Sequence, residues 1–274
     1  MSLFAIDEKK CTKCQACLEE CPLKLVELKE GDSVYTPINQ AEEFCIYCGH
    51  CVAVCPEEAF IHKSLKPKDC LSIQGKEILS SEEISSFLSS RRSIRSYKKK
   101  RVDQEIISKI IKTASYAPSG HNLQPVNWLV ISEEDRLKKI IGFVVEWMKF
   151  MIKKQPAMAK AMHLEMIVLA WQSGVDVIGR EAPHLIVASG PKDNPIVPPA
   201  STIALSYFEL AAFSFGLGTC WAGYIDVAAK FWPDLVKELD LSEGHASMGA
   251  MLLGYPKFNY HRIPQRKEPN VIWG

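Results

Sequence analysis

The chain has 274 residues, is 47% hydrophobic and 24% charged, and carries a formal net charge of +1, the balance of a soluble globular protein with one large or two smaller domains. No uninterrupted apolar run reaches the roughly 18 to 20 residues that a membrane helix requires, no basic-then-apolar N-terminal stretch reads as a signal peptide, and no basic stripe interleaves with aromatics as nucleic-acid binding demands. A cytoplasmic protein with no membrane and no nucleic-acid partner is expected. The charge is uneven, with six lysines against eleven Asp and Glu in residues 1–65 and ten basic against four acidic residues in 66–101.

Eight of the ten cysteines fall in two copies of one spacing, C-x2-C-x2-C-x3-C-P, as Cys11, Cys14, Cys17 and Cys21-Pro22, then Cys45, Cys48, Cys51 and Cys55-Pro56. This spacing serves iron–sulfur ligation, because each tight triplet wraps three corners of one cubane and the cysteine before proline is carried to the other cluster. It predicts two [4Fe-4S] clusters, one on Cys11, Cys14, Cys17 and Cys55 and the other on Cys45, Cys48, Cys51 and Cys21. Zinc takes four ligands from two short hooks, and disulfide density belongs to secreted chains, so both fit the pattern less well. The offset from Cys11 to Cys45 is an internal repeat of chemistry. So short a span buries little core, and the clusters are expected to act as its staples.

The domains are read as 1–65 for the cluster-binding part, 66–79 for a linker that includes an incidental Cys70, and 80–274 for the rest. Ser80 and Glu83 form a capping box ahead of Ile84, Phe87 and Leu88, which predicts a helix ending near Ser90. Asp103 is expected to cap a second helix with the apolar stripe Ile106, Ile107, Ile110, Ile111 and Ala114, stopped by Pro118. Asn127 to Ser132, His184 to Ser189 and Met248 to Tyr255 read as strands. Methionines and aromatics from Phe143 to Met166 recur at near-helical spacing and read as core or pocket wall, and Cys220 as a buried structural thiol. The stretch Ala200 to Ile225 reads as a buried helix followed by a strand. Without a regular β-α-β alternation, the fold class of this part is α+β.

Arg91-Arg92-Ser93-Ile94-Arg95-Ser96-Tyr97 places three guanidiniums and two serine hydroxyls in seven residues, a donor set that matches a phosphate. It precedes Ala117-Pro118-Ser119-Gly120-His121-Asn122-Leu123-Gln124-Pro125, then Ala182-Pro183-His184-Leu185-Ile186-Val187, Gly216-Leu217-Gly218-Thr219-Cys220-Trp221-Ala222-Gly223-Tyr224, Gly254-Tyr255-Pro256 and Ile263-Pro264-Gln265-Arg266-Lys267. In this order the segments resemble the nitroreductase family of flavoproteins over roughly residues 80 to 274. The cysteine-rich extension is similar to that family's ferredoxin-fused branch.

The resemblance implies FMN held at a homodimer interface. Arg91, Arg92, Ser93 and Arg95, with Arg266 and Lys267, would take the phosphate and ribityl side. Pro118, Ser119, Gly120 and Asn122 would meet the isoalloxazine ring held by the partner subunit, and Trp221, Ala222 and Gly223 would run along the ring with a backbone N–H near N5. His121 is a tentative proton donor. Ala222 and Val126 stand where relatives often carry an acidic and an aromatic residue, which alters the shape of the pocket. Together these features imply an α+β FMN-dependent oxidoreductase with an N-terminal ferredoxin-like domain. Its donor would be ferredoxin or NAD(P)H, and its acceptor a small electron-poor molecule such as a nitroaromatic, quinone or activated alkene. The other reading is a non-enzymatic electron-transfer subunit or redox sensor.

Overall fold

A computed structural model describes residues 2–274, and the chain divides into two units, Met1–Ile78 with His121–Leu123, and Leu79–Gly120 with Gln124–Gly274. In the first unit β1 (Phe4–Ile6) pairs antiparallel with β4 (Phe60–His62), and β2 (Val26–Glu27) with β3 (Thr36–Pro37). Helices α1 (Ala16–Glu20), α2 (Ala41–Phe44) and α3 (His50–Ala53) are far shorter than a helix that holds itself in water. Leu3, Phe4, Leu25, Val26, Tyr35, Val52 and Phe60 form the small core around them.

The repeat seen in the cysteines extends to the backbone. Lys13 and Tyr47, Gln15 and Gly49, and Lys24 and Glu58 occupy corresponding places and take φ of 56° and 52°, 69° and 74°, and 52° and 52°. For residues other than glycine the left-handed region costs on the order of 1 kcal/mol each. Such strain persists only where its surroundings over-determine it.

The second unit opens with α4 (Ser81–Ser90) and α5 (Gln104–Ala114). It continues through β5 (Asn127–Ile131), α6 (Glu134–Lys154), α7 (Pro156–Ala161), α8 (Leu164–Gln172) and β6 (His184–Pro191). It closes with α9 (Val197–Ser214), β7 (Gly218–Trp221), α10 (Gly223–Phe231), α11 (Pro233–Leu239) and β8 (His245–Gly254). The sheet is antiparallel throughout, in the order β5-β6-β8-β7. Both faces are covered, which explains why β6 is buried continuously from His184 to Gly190, with Leu185–Ala188 an apolar run rather than an alternating one. Leu185, Val187 and Leu252 enter one core with α6, α8, α10 and α11. Ile186, Ala188, Met251 and Leu253 enter the other with α5 and α9. Successive side chains of a strand point to opposite faces, so one strand serves two cores.

Ser80 and Glu83 form the expected reciprocal cap of α4, with Glu83 N donating to Ser80 Oγ at 3.2 Å and Ser80 N to Glu83 Oε2 at 2.8 Å. Three expectations are corrected. Asp103 precedes α5 without a side-chain cap bond. That helix also ends at Ala114, ahead of Pro118, because the turn Ser115–Ala117 carries the chain out before proline forces its predecessor toward extended backbone. β8 starts earlier than Met248, since the long β6 pairs with it as far as Pro191↔His245. Among the described residues no helix is long and apolar enough to cross a membrane.

Candidate functional site

The two cysteine groups form two hollows, and the exchange of the fourth cysteine is visible in their linings. Cys11, Cys14, Cys17 and Cys55 line one hollow. Cys21, Cys45, Cys48 and Cys51 line the other. All ten cysteines are free thiols. One backbone amide reaches a sulfur in each group, Leu25 N to Cys21 Sγ at 3.4 Å and Ala59 N to Cys55 Sγ at 3.2 Å, and Leu25 and Ala59 are again repeat mates.

Burial, aided by the neighbouring thiols, raises Cys17 to about 11 and Cys51 to about 12. Thiolates there are costly until a positive group supplies the missing charge. Among the described residues no three His, Cys, Asp or Glu side chains gather around one point as a single ion requires. A cubane offers a separate iron to each sulfur, and so suits sulfurs spread around a hollow. The donor set therefore fits iron–sulfur clusters. Sequence reasoning missed His62, a buried residue whose Nε2 lies 3.6 Å from Cys45 Sγ. A lone histidine outside the motif carries no signal of its own.

The Arg91–Tyr97 segment leaves α4 and is strapped to the sheet. Ile94 N donates to Thr219 O at 2.8 Å, Lys98 N to Tyr255 O at 2.9 Å, and Lys257 N to Ser96 O at 3.0 Å. Tyr97 Oη closes the segment on itself, donating to Ile94 O at 2.8 Å. Gly218 is needed there because a Cβ would overlap the Ile94 side chain. Arg91 Nη1 meets the buried carboxylate of Glu209 on α9 at 3.1 Å, and Thr219 Oγ1 donates to the same oxygen at 3.1 Å. Arg92 Nη2 donates to Ser89 O, while Arg92 Nε is buried without a partner among the described residues. A buried orphan donor is costly, and an anion at this segment would satisfy it. Ser93 is half-buried and Arg95 exposed.

After Pro118, Ser119 Oγ accepts from Gln124 N at 2.9 Å. His121, Asn122 and Gln124 take φ of 52°, 54° and 46°, strained backbone of the kind found at ligand-holding turns. His121 is exposed. Asn122 Nδ2 donates to Ile46 O at 3.4 Å and Tyr47 O at 3.1 Å within the first unit, so its amide serves the turn between Cys45 and Cys48.

On β7, Trp221 is 41% exposed and Ala222 is buried. Ala222 N is already committed to Ala250 O at 2.8 Å. Gly223 is the first residue of α10, and a Cβ there would meet nothing within 4 Å. As one of the leading amides that lack an intrahelical acceptor, it is the donor of this trio suited to a ligand. Arg266 and Lys267 lie in an exposed stretch of irregular backbone and form no hydrogen bond or ion pair among the described residues.

Comparison with known proteins matches two parts of the chain. The 4Fe-4S dicluster domain matches residues 4–56 and the Nitroreductase family matches residues 88–255. A Putative NADH dehydrogenase/NAD(P)H nitroreductase of Archaeoglobus fulgidus is 41% identical over 59 residues, 22% of this chain and 34% of that protein. The chain thus aligns with about a third of that relative's length. A protein of the same description from Methanothermobacter thermautotrophicus is 26% identical over 192 residues, 70% of this chain and 86% of the relative. A nitroreductase with bound FMN from Bacteroides fragilis superposes with a TM-score of 0.58 at 19% identity, covering 70% of this chain and 99% of that one, a likeness of fold. With its covered antiparallel sheet and a family match across most of the second unit, this chain belongs to the nitroreductase family and bears an N-terminal 4Fe-4S dicluster domain.

Proposed function

We propose that the protein is an FMN-dependent oxidoreductase in which two [4Fe-4S] clusters exchange electrons with the flavin. Bound FMN would supply two-electron hydride transfer to an electron-poor acceptor such as a nitroaromatic, a quinone or an activated alkene, and the clusters would supply single electrons. The observation that carries the reading is the pairing of two four-cysteine hollows with a strapped arginine segment whose Arg92 Nε is buried and unpartnered.

The residues divide the work. Cys11, Cys14, Cys17 and Cys55 would hold one cluster, and Cys21, Cys45, Cys48 and Cys51 the other. Arg92, Ser93 and Arg95 would bind the flavin phosphate, with Arg91 kept in line by Glu209. Gly223 N–H would meet the ring near N5, beside Trp221 and Ala222. Pro118, Ser119, Gly120 and Asn122 would shape the ring's surroundings, and His121 would offer a proton. Arg266 and Lys267 would help on the phosphate side, and a second copy of the chain would complete the site by presenting its ring to Pro118, Ser119, Gly120 and Asn122. Exposed Ile203 and Tyr207 on α9, and Ile263, Ile272 and Trp273 beyond β8, are the apolar surface such a partner would cover.

Anaerobic assay of the purified protein for iron, sulfide and flavin, followed by reduction with dithionite, tests this reading. Bleaching of both cluster and flavin absorbance is expected. A protein that takes up no FMN, or whose flavin stays oxidised while its clusters reduce, overturns it. The names of the archaeal relatives favour NAD(P)H as a donor, and stopped-flow mixing with NADH or NADPH, without ferredoxin, separates that route from a ferredoxin-fed one.

A further inference from the structure

The two cluster hollows come from one repeat, yet they differ where it matters for an electron. Their shared hydrogen bonds cancel, since Leu25 N to Cys21 Sγ and Ala59 N to Cys55 Sγ are mates at 3.4 and 3.2 Å. His62 breaks the symmetry. Ser64 N donates to His62 Nδ1 at 3.1 Å, and Ser64 Oγ lies 2.8 Å from the same atom. A nitrogen that accepts from a backbone amide carries no proton, so the proton of the neutral ring sits on Nε2. That atom is 3.6 Å from Cys45 Sγ, where it donates to the sulfur.

Tyr47 packs edge-on against the His62 ring, with ring centroids 5.4 Å apart, and holds its plane. At the corresponding place in the first repeat stands Leu28, which has no donor and is not among the residues lining the other hollow. A second difference has the same sign. Glu57 lines the hollow of Cys11, Cys14, Cys17 and Cys55, while its mate Leu23 lines the other.

Donors to cluster sulfurs stabilise the reduced, more negative state, and a nearby carboxylate opposes it. We propose that His62 makes the centre on Cys21, Cys45, Cys48 and Cys51 the higher-potential one of the pair, with Glu57 lowering the other, so that the first electron from a one-electron donor rests on the Cys45 side. Each step moves one electron from the external donor to one centre and makes or breaks no bond. The inference rests on the two-cluster reading above. His62 contributes the larger share, because it is buried against the sulfur, whereas exposed Glu57 acts through solvent and salt.

The test is an EPR-monitored redox titration of the full chain, carrying an iron and sulfide complement for two clusters, as wild type, His62→Leu, His62→Gln and Glu57→Leu. His62→Leu should lower the upper step, by about tenfold in its reduction equilibrium, the scale of one hydrogen bond to a charged acceptor. His62→Gln, whose amide can still donate, should restore most of it. Glu57→Leu should raise the lower step by less. An upper step unmoved in His62→Leu, or a lower step that moves in its place, overturns the proposal. If His62→Leu fails to hold its clusters, Glu57→Leu decides, and a shift of the upper step there is equally fatal. Too little iron for two clusters in the wild type would instead defeat the two-cluster reading, a separate and distinguishable failure.

Discussion

The two units are held together by different physics. The second has a sheet covered on both faces, with Leu185, Ile186, Val187, Leu205 and Phe208 fully buried. Its order follows from apolar area removed from water. The first has helices of four or five residues, two-stranded pairings and a small core. Lys13, Gln15, Lys24, Gln40, Tyr47 and Glu58 all sit in costly left-handed backbone. Where burial is too small to offset chain entropy, the cysteines must bring order from outside the polypeptide. One chain thus contains a unit that should fold from its side chains and another that should fold around its clusters.

The largest effect should come from removing iron. Anaerobic chelation is expected to abolish the slow amide exchange of residues 2–62 while the exchange of β6 and β8 is unchanged, read by hydrogen-exchange mass spectrometry. Loss of protection in the sheet as well would show that the units are not independent in stability. Phe208→Ala is the mirror experiment. Phe208 is fully buried and stacks on Trp128 with centroids 5.5 Å apart. The substitution should cost the second unit about 3–5 kcal/mol in denaturant unfolding, with cluster absorbance retained.

Acid should act next, through His184. Its Nε2 accepts from Val102 N at 2.8 Å and its Nδ1 lies 2.7 Å from Ser132 Oγ. Burial, reinforced by the charge of Arg101, pulls its pKa from 6.5 to about 4. Between those values the unfolded chain binds a proton that the native chain refuses, so stability falls as pH drops from 6.5 to about 4 and levels off below. The loss is on the order of 3 kcal/mol. His184→Gln should flatten that part of the pH dependence of sheet unfolding. The smallest effect is expected from Ser80→Ala, which removes the reciprocal cap of α4 and should cost about 1 kcal/mol, seen as faster exchange in Ser81–Ser90 alone.

Legibility in the sequence followed the range of the interaction. The capping box at Ser80 and Glu83 was readable because all its partners lie within one turn. So was the pairing of Cys55 with the first triplet, because the motif encodes it. The Asp103 cap bond was not realised, although the residue type was right, because a side chain's choice among local acceptors depends on what surrounds the helix end. Arg91 was legible as a cation but not as the partner of Glu209. Asn122 was legible as a turn residue, but its bonds to Ile46 and Tyr47 span a separation that no periodicity records.

By itself the sequence determined the cysteine repeat, the α+β class, helices α4, α5 and α9, the strands of the sheet and the arginine segment, all of which are patterns of spacing and local propensity. Only the tertiary structure decided that Arg91 answers to a buried carboxylate, that Gly223 keeps its amide while Ala222 spends its own on the sheet, and that His62 distinguishes two hollows built to one plan. Those outcomes depend on distances between residues far apart in the chain, and it is through such distances that burial and hydrogen bonding act.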